Sequence, residues 1–402
     1  MKSRELGIYI HIPFCKHKCY YCDFVSYCNK DFLIENYIRT VEKELDMYFE
    51  NEDFIKKYDI TTIYIGGGTP SYIDSKYICE ILNKFEERIT RYNKTKFEDI
   101  EITIEVNPGT INKEKIEDYK KAKINRLSIG LQSTNDDILK EIGRIHNFEQ
   151  FLETYNLARE EGFDNINVDL MLGIPNQTIE ILKQSLKEII KLGPEHISVY
   201  SLILEEGTVL DKLINEGKLE LLDEEKERRM YWYTKSILEL SGYEHYEISN
   251  FCKGGKKAKH NTNCWEQKEY IGIGAAAHSY LNNIRYSNVT SIEKYIENMG
   301  KIKNVNENID KQILENRDIR DIHEIQNIED AKKEFMLLGL RKIEGIKISE
   351  FKEKYIDNPI YLYHEELGRL VEEKLLIIDG DYIKLTNKGL DLANLVWEEF
   401  VQ

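Results

Sequence analysis

The sequence predicts an α/β fold built on a parallel sheet. Short β-branched runs alternate with longer helical periodicities from residue 1 to about 205. Each run is bounded by Gly, Pro or Asn. The chemically unusual residues fall just after the runs, at the strand ends where such folds carry their chemistry. Six strand–loop–helix units suit an incomplete (β/α)6 barrel, and a doubly wound sheet is the alternative from pattern alone.

The runs are GIYIHI (7–12), TTIYIG (61–66), EITIEV (101–106), RLSIGL (126–131), INVDLML (166–172) and HISVYSL (196–202). Helical stretches such as FLIENYIRTVEKELDMYF and TIEILKQSLKEIIKL lie between them. Cys15 follows the first run, the glycine loop 66–71 the second, Glu105 and Pro108 the third, and Gln132 the fourth. Asp169 to Pro175 follow the fifth, and Tyr200 sits on the sixth.

Residues 206–300 form a second segment, with an acidic helical stretch followed by YEISNF. The third, 301–402, opens with a polar stretch to 330 that lacks Gly and Pro and reads as solvated helix. From 331 it predicts a compact helical segment. KLLIIDGDYIKLT follows as a hairpin with a Gly-Asp turn, and then a closing helix. Helices with a small hairpin predict a winged-helix-like module. Residues 331–402 carry 11 Lys/Arg and 14 Asp/Glu, which argues against DNA binding.

Among 402 residues, 41% are hydrophobic, enough for a core. The net charge of −16 repels phosphate backbones, so no nucleic-acid partner is expected. No stretch approaches the ~18 apolar residues of a membrane helix. The apolar run before Cys15 is short and broken by His11 and Pro13, unlike a secretory signal. Unpaired thiols without a signal predict a cytoplasmic location.

Cys15, Cys19 and Cys22 form C-x3-C-x2-C in GIYIHIPFCKHKCYYCDF. Structural zinc closes with four ligands, and Cys28, Cys79, Cys252 and Cys264 supply no second metal-spaced pair. Seven cysteines in a chain of this length do not make a disulfide framework. Three thiolates suit a [4Fe–4S] cluster with one iron left open. GGGTPS (66–71) lets backbone approach a ligand, but no Gly-Lys-Ser/Thr follows to make it a phosphate loop.

The cysteine spacing resembles the radical S-adenosylmethionine (SAM) superfamily. That resemblance implies the partial barrel, a [4Fe–4S] cluster on Cys15, Cys19 and Cys22, and SAM on its open iron. It implies that Gly67, Gly68, Thr69 and Glu105 face the SAM ammonium. Arg144 matches a carboxylate partner, and Gln132 and Asp169 match ribose partners. Tyr9, Tyr200 and Ile203 match the SAM and substrate cavity.

YIHIPFC, YCDF, GGGTPS, GLQS, GRIH and NVDLMLGIP together resemble two related groups. One is oxygen-independent coproporphyrinogen III dehydrogenase, which decarboxylates two propionates to vinyls. The other is the HemW-type heme chaperones. The dehydrogenase pattern has a fourth cysteine where this chain has Phe24, and a longer stretch before the cluster. Both departures favour the chaperone, which implies heme as a further cofactor.

The chaperone motif H-N-x-x-Y-W is matched imperfectly by His260, Asn261, Cys264 and Trp265, with Cys264 in place of Tyr. His260 or Cys264 is expected to ligate heme, with Trp265 stacking on it. His278 in GIGAAAHSY also fits the chaperone pattern. The resemblance implies a heme-acceptor protein, an electron donor such as flavodoxin or ferredoxin, and transient membrane-surface contact with the acceptor. It leaves open a monomer or a cluster-dependent dimer. RNA modification, a third reading, needs a basic groove that the charge does not support.

Overall fold

The structure is a computed structural model that describes residues 3–302 and 320–400. All six expected strands are present: β1 (Arg4–Ile12), β2 (Tyr58–Gly67), β3 (Glu101–Val106), β4 (Arg126–Gln132), β5 (Ile166–Leu172) and β6 (His196–Ser201). They pair in parallel and in sequence order. Their near-continuous apolar runs suit strands covered on both faces.

Six more strands extend the sheet: β7 (Glu244–Glu247), β8 (Asn250–Cys252), β9 (Glu269–Ile273), β10 (His278–Leu281), β11 (Ile284–Asn288) and β12 (Arg320–Ile325). The order is β12-β11-β10-β9-β1-β2-β3-β4-β5-β6-β8-β7. β9 lies parallel to β1, and β8 lies antiparallel to β6. The barrel therefore stays open, because β1 and β6 each have a different second neighbour.

Amphipathic helices cover the sheet. Helix Ile34–Phe49 buries Tyr37, Val41, Leu45 and Tyr48, one face of a 3.6-residue repeat. Helix Ile179–Leu192 starts at Thr178, whose side chain accepts from Ile181 N–H, and ends at Gly193 with φ 69°.

Residues 320–325 differ from the solvated helix that the sequence predicts for 301–330. Residues 303–319 lie outside the described residues. Beyond them, Arg320–Ile325 is β12, paired antiparallel to β11, and a helix begins at Ile328. Arg320 is buried, donates to the Tyr48 hydroxyl at 2.9 Å and lies 3.7 Å from Glu44. Glu44 also accepts from Gly274 N–H at 2.8 Å and from the Tyr295 hydroxyl at 2.7 Å. Polar residues here find partners over 200 positions away, and short-range pattern does not reveal such pairing.

The carboxyl-terminal module packs its own core around Met336, Leu340, Phe351, Leu367 and Val396. Its sheet holds β13 (Ile346–Lys347), β14 (Leu376–Asp379) and β15 (Tyr382–Leu385), with β14 and β15 joined by the expected Gly-Asp turn. Buried Gln267 fastens the module to the barrel. Its amide donates to Ala331 O at 3.0 Å and Glu334 at 2.8 Å, and its oxygen accepts from Tyr355 at 2.6 Å and Lys354 at 2.8 Å. Among the described residues, no helix is long and apolar enough to cross a membrane.

Candidate functional site

The cysteine loop leaves β1 at the carboxyl end of the sheet. Cys15 is buried, while Cys19 and Cys22 are half-buried. All three thiols line one cavity of about 160 Å³ with Gly67, Gly68, Thr69, Glu105, Gln132, Arg144 and Asp169. Burial pushes the Cys15 thiol up and the Cys22 thiol to about 11. Both stay protonated at neutral pH, so metal binding here releases protons.

A polar chain runs behind the thiols. The Cys15 sulfur lies 3.4 Å from the Thr69 hydroxyl, which accepts from Asn107 Nδ2 at 3.0 Å. Asn107 Oδ1 accepts from Arg144 Nη2 at 2.9 Å, and Arg144 Nη1 lies 3.5 Å from the Cys19 sulfur. Arg144 also donates to Gly130 O. Arg144 Nε and Gln132 Oε1 are buried with no hydrogen-bond partner among the described residues. Gln132 has φ 67°, and the register shifts between Gly130 and Gln132. A bulge of this kind re-aims a side chain and holds strain at a functional site.

Glu105 accepts from the Tyr64 hydroxyl at 2.8 Å and from Gly67 N–H at 3.1 Å. Burial raises its carboxyl to about 7 against those two bonds, and the Asp169 charge adds to the rise. Asp169 accepts from Asn167 Nδ2 at 2.7 Å and from the Ser128 hydroxyl at 3.4 Å. Burial raises its carboxyl too. Two buried acids facing one cavity suit a ligand that brings positive charge or hydroxyl donors.

A second, wider cavity of about 500 Å³ shares Glu105, Gln132 and Asp169 with the first. Tyr200, Ile203 and Phe24 line it, and Ile203 and Phe24 are 69% and 66% exposed. Tyr9 lines neither cavity. It lies half-buried beside them, 2.9 Å from His11 Nδ1 and ring-stacked on Tyr64.

Helix Lys259–Trp265 lies at the amino-terminal end of the strands. Glu101, the first residue of β3, accepts the backbone N–H groups of Lys259 at 3.2 Å and His260 at 3.1 Å. His260 is buried, with Nδ1 2.9 Å from the Thr62 hydroxyl. A Cβ at Gly7 would stand 3.3 Å from the His260 ring, so glycine makes its room. Burial and then the Arg126 charge hold the imidazole near 4, hence neutral. Asn261 reaches the wide cavity from below. Burial pushes the Cys264 thiol to about 11. The Arg341 guanidinium lies 4.4 Å over the Trp265 ring.

A family model described as "Radical SAM superfamily" matches residues 9–189, and one described as "HemN C-terminal domain" matches residues 328–392. The protein named "Heme chaperone HemW" from Lactococcus lactis subsp. lactis (strain IL1403) is 36% identical over 401 residues, 100% of this chain and 98% of that one. Its namesake from Bacillus subtilis (strain 168) is 37% identical over 393 residues, 98% of each chain. The chain belongs to the HemW family of radical SAM proteins. Coproporphyrinogen III oxidase (HemN) from Escherichia coli matches in structure with a TM-score of 0.79, over 99% of this chain and 90% of that one. At 21% identity that likeness shows the fold alone, the expected α/β partial barrel with its carboxyl-terminal module.

The radical SAM superfamily implies a [4Fe–4S] cluster and SAM, and this HemW-family site fits both. Three thiols share one wall, and an added Cβ at Gly68 would stand 3.0 Å from the Cys15 sulfur. The orphaned Arg144 Nε and Gln132 Oε1 leave polar capacity for a ligand. Sequence reasoning missed Asn107, Tyr64 and Arg126. Asn107 carried a signal, since it follows Glu105 in EVNP; the other two show themselves only once strand alternation is set against known inward residues.

Proposed function

We propose that this chain binds heme and delivers it to an acceptor protein, as its full-length HemW relatives are named for doing. The observation that carries this reading is the wide cavity. It lies between the cysteine loop and the helix that bears His260 and Asn261. Its volume falls within the ~300–1,000 Å³ of ligand pockets, and its exposed rim is aromatic and apolar.

Cys15, Cys19 and Cys22 hold the cluster. Glu105 takes the SAM ammonium with backbone from Gly67, Gly68 and Thr69. Arg144 takes its carboxylate, and Gln132 and Asp169 its ribose hydroxyls, while Tyr9 supports the wall through His11 and Tyr64. The bound cluster and SAM supply one-electron chemistry; the protein orients and shields them. Neutral His260 is the proposed iron ligand through Nε2, because Nδ1 is engaged by Thr62; it packs against the Tyr64 ring behind the chamber wall and does not itself line the chamber. Cys264 is the poorer donor, since its thiol keeps its proton. Trp265 borders the iron-ligand helix under Arg341. Lys16, His17 and Lys18 are exposed on the cluster loop of an acidic chain, a face that suits an acidic donor such as flavodoxin or ferredoxin.

Titration with hemin tests the reading. The wild type is expected to give a shifted Soret band, and His260→Ala a band weakened at least about tenfold in affinity. An unshifted wild-type spectrum overturns heme binding, and an unchanged variant overturns the ligand. Anaerobic incubation with coproporphyrinogen III and SAM is expected to yield no protoporphyrinogen.

A further inference from the structure

Arg126 is 2% exposed, yet its side chain makes no hydrogen bond or ion pair among the described residues, and its Nε is orphaned. A buried guanidinium with no paired carboxylate is costly, and Asp169 acts on this one only through space. Arg126 opens β4, where residues 126, 128, 130 and 132 share a face. Arg126, Ser128 and Gln132 all line the wide cavity.

Its backbone level lies below those of the acids near the cluster. Glu105 pairs across from Ser128, and Asp169 from Gly130. Two and four residues of strand thus separate their levels from Arg126, about 7 and 13 Å along the sheet. Asn261 lines the same cavity from the helix below. Phe24, Tyr200 and Ile203 give the rim its apolar part, and among the described residues that line the chamber Arg126 is the one cation beside the carboxyls of Asp23, Glu105, Asp169 and Glu205.

We propose that Arg126 anchors a free carboxylate of the ligand that fills this chamber. One acid arm reaches Arg126 while the apolar body lies along the aromatic wall of the chamber. A planar fork matches a carboxylate in bidentate fashion, which a lysine cannot do. The proposal rests on the heme reading above, and it names what that site selects: a planar, apolar macrocycle that keeps at least one ionised acid arm.

The test compares hemin with hemin dimethyl ester, whose acid arms are blocked, on wild type, Arg126→Gln and Arg126→Lys. Affinity is read from the Soret band and folding from circular dichroism. Wild type is expected to prefer hemin over the ester by roughly ten- to a hundredfold. Arg126→Gln is expected to lose that preference while binding the ester as the wild type does, with Arg126→Lys between. Equal binding of hemin and ester by the wild type overturns the anchor without relying on any variant. Hemin preference retained in Arg126→Gln overturns it as well. A wild type that binds neither porphyrin overturns the heme reading and the anchor together, whereas the first two results spare the heme reading.

Discussion

Five histidines are buried deeply enough for burial to hold their imidazoles neutral. His11, His245 and His260 are lowered to about 4, His146 to about 3, and His196 further still. A base with a depressed folded-state pKa favours folding fully above its ordinary value near 6.5. That contribution drains as pH falls towards the folded value, by up to about 1.4 kcal/mol per pH unit for each proton. Glu105, raised to about 7, acts oppositely, because its folded form holds a proton that the unfolded chain has released. Burial raises the carboxyls of Asp169, Glu42, Glu44 and Glu247 as well, and these act in the same direction as Glu105. His245→Asn removes one such imidazole, so between pH 6.5 and 4 the melting temperature of the metal-free variant is expected to fall less steeply than that of the wild type, and equal slopes in scanning calorimetry would contradict the burial described.

At the scale of elements, the glycine loop after β2 is set by what surrounds it. Gly67 has φ 112°, and an added Cβ would stand 2.5 Å from the His11 ring. Gly68 meets Ile12 O at 2.9 Å and Phe14 N at 3.0 Å, both backbone atoms that cannot swing aside. Gly68→Ala must push the loop away from the cysteines. After reconstitution with iron and sulfide it is expected to hold well under the ~four irons per chain of the wild type, measured by iron assay, while Cys19→Ala loses the cluster. The loop and all six parallel strands were legible because their signals are local: β-branched runs, turn residues and cysteine spacing. β9 beside β1 and β12 beside β11 were not, since both pairings join residues far apart in sequence. Arg126 hid for a related reason. Its inward direction follows from Gln132 by strand alternation, but only after Gln132 is known to face inward.

For the whole molecule, the carboxyl-terminal module and the barrel are fastened at several points, Gln267 and the Arg285–Glu334 ion pair among them. Gln267 joins helix Ile328–Gly339 and Tyr355 to the turn after helix Lys259–Trp265. Ile343 N–H adds a bond to Tyr246 O at 3.1 Å. Gln267→Ala leaves buried partners unsatisfied, a loss on the order of 2 kcal/mol. It is expected to speed amide exchange across Lys259–Trp265 while leaving β2 to β5 protected; unchanged exchange there would mean that the module does not support that helix.

Helix Lys259–Trp265 therefore works as a stopper, held by Glu101 from the sheet and by Arg341 from the module. The internal chamber has its oxygen-sensitive iron chemistry at the ceiling and this stopper at the floor. Loosening the module would leave that floor held by the sheet alone, so a disturbance at the far end of the chain reaches the chamber without touching its exposed rim.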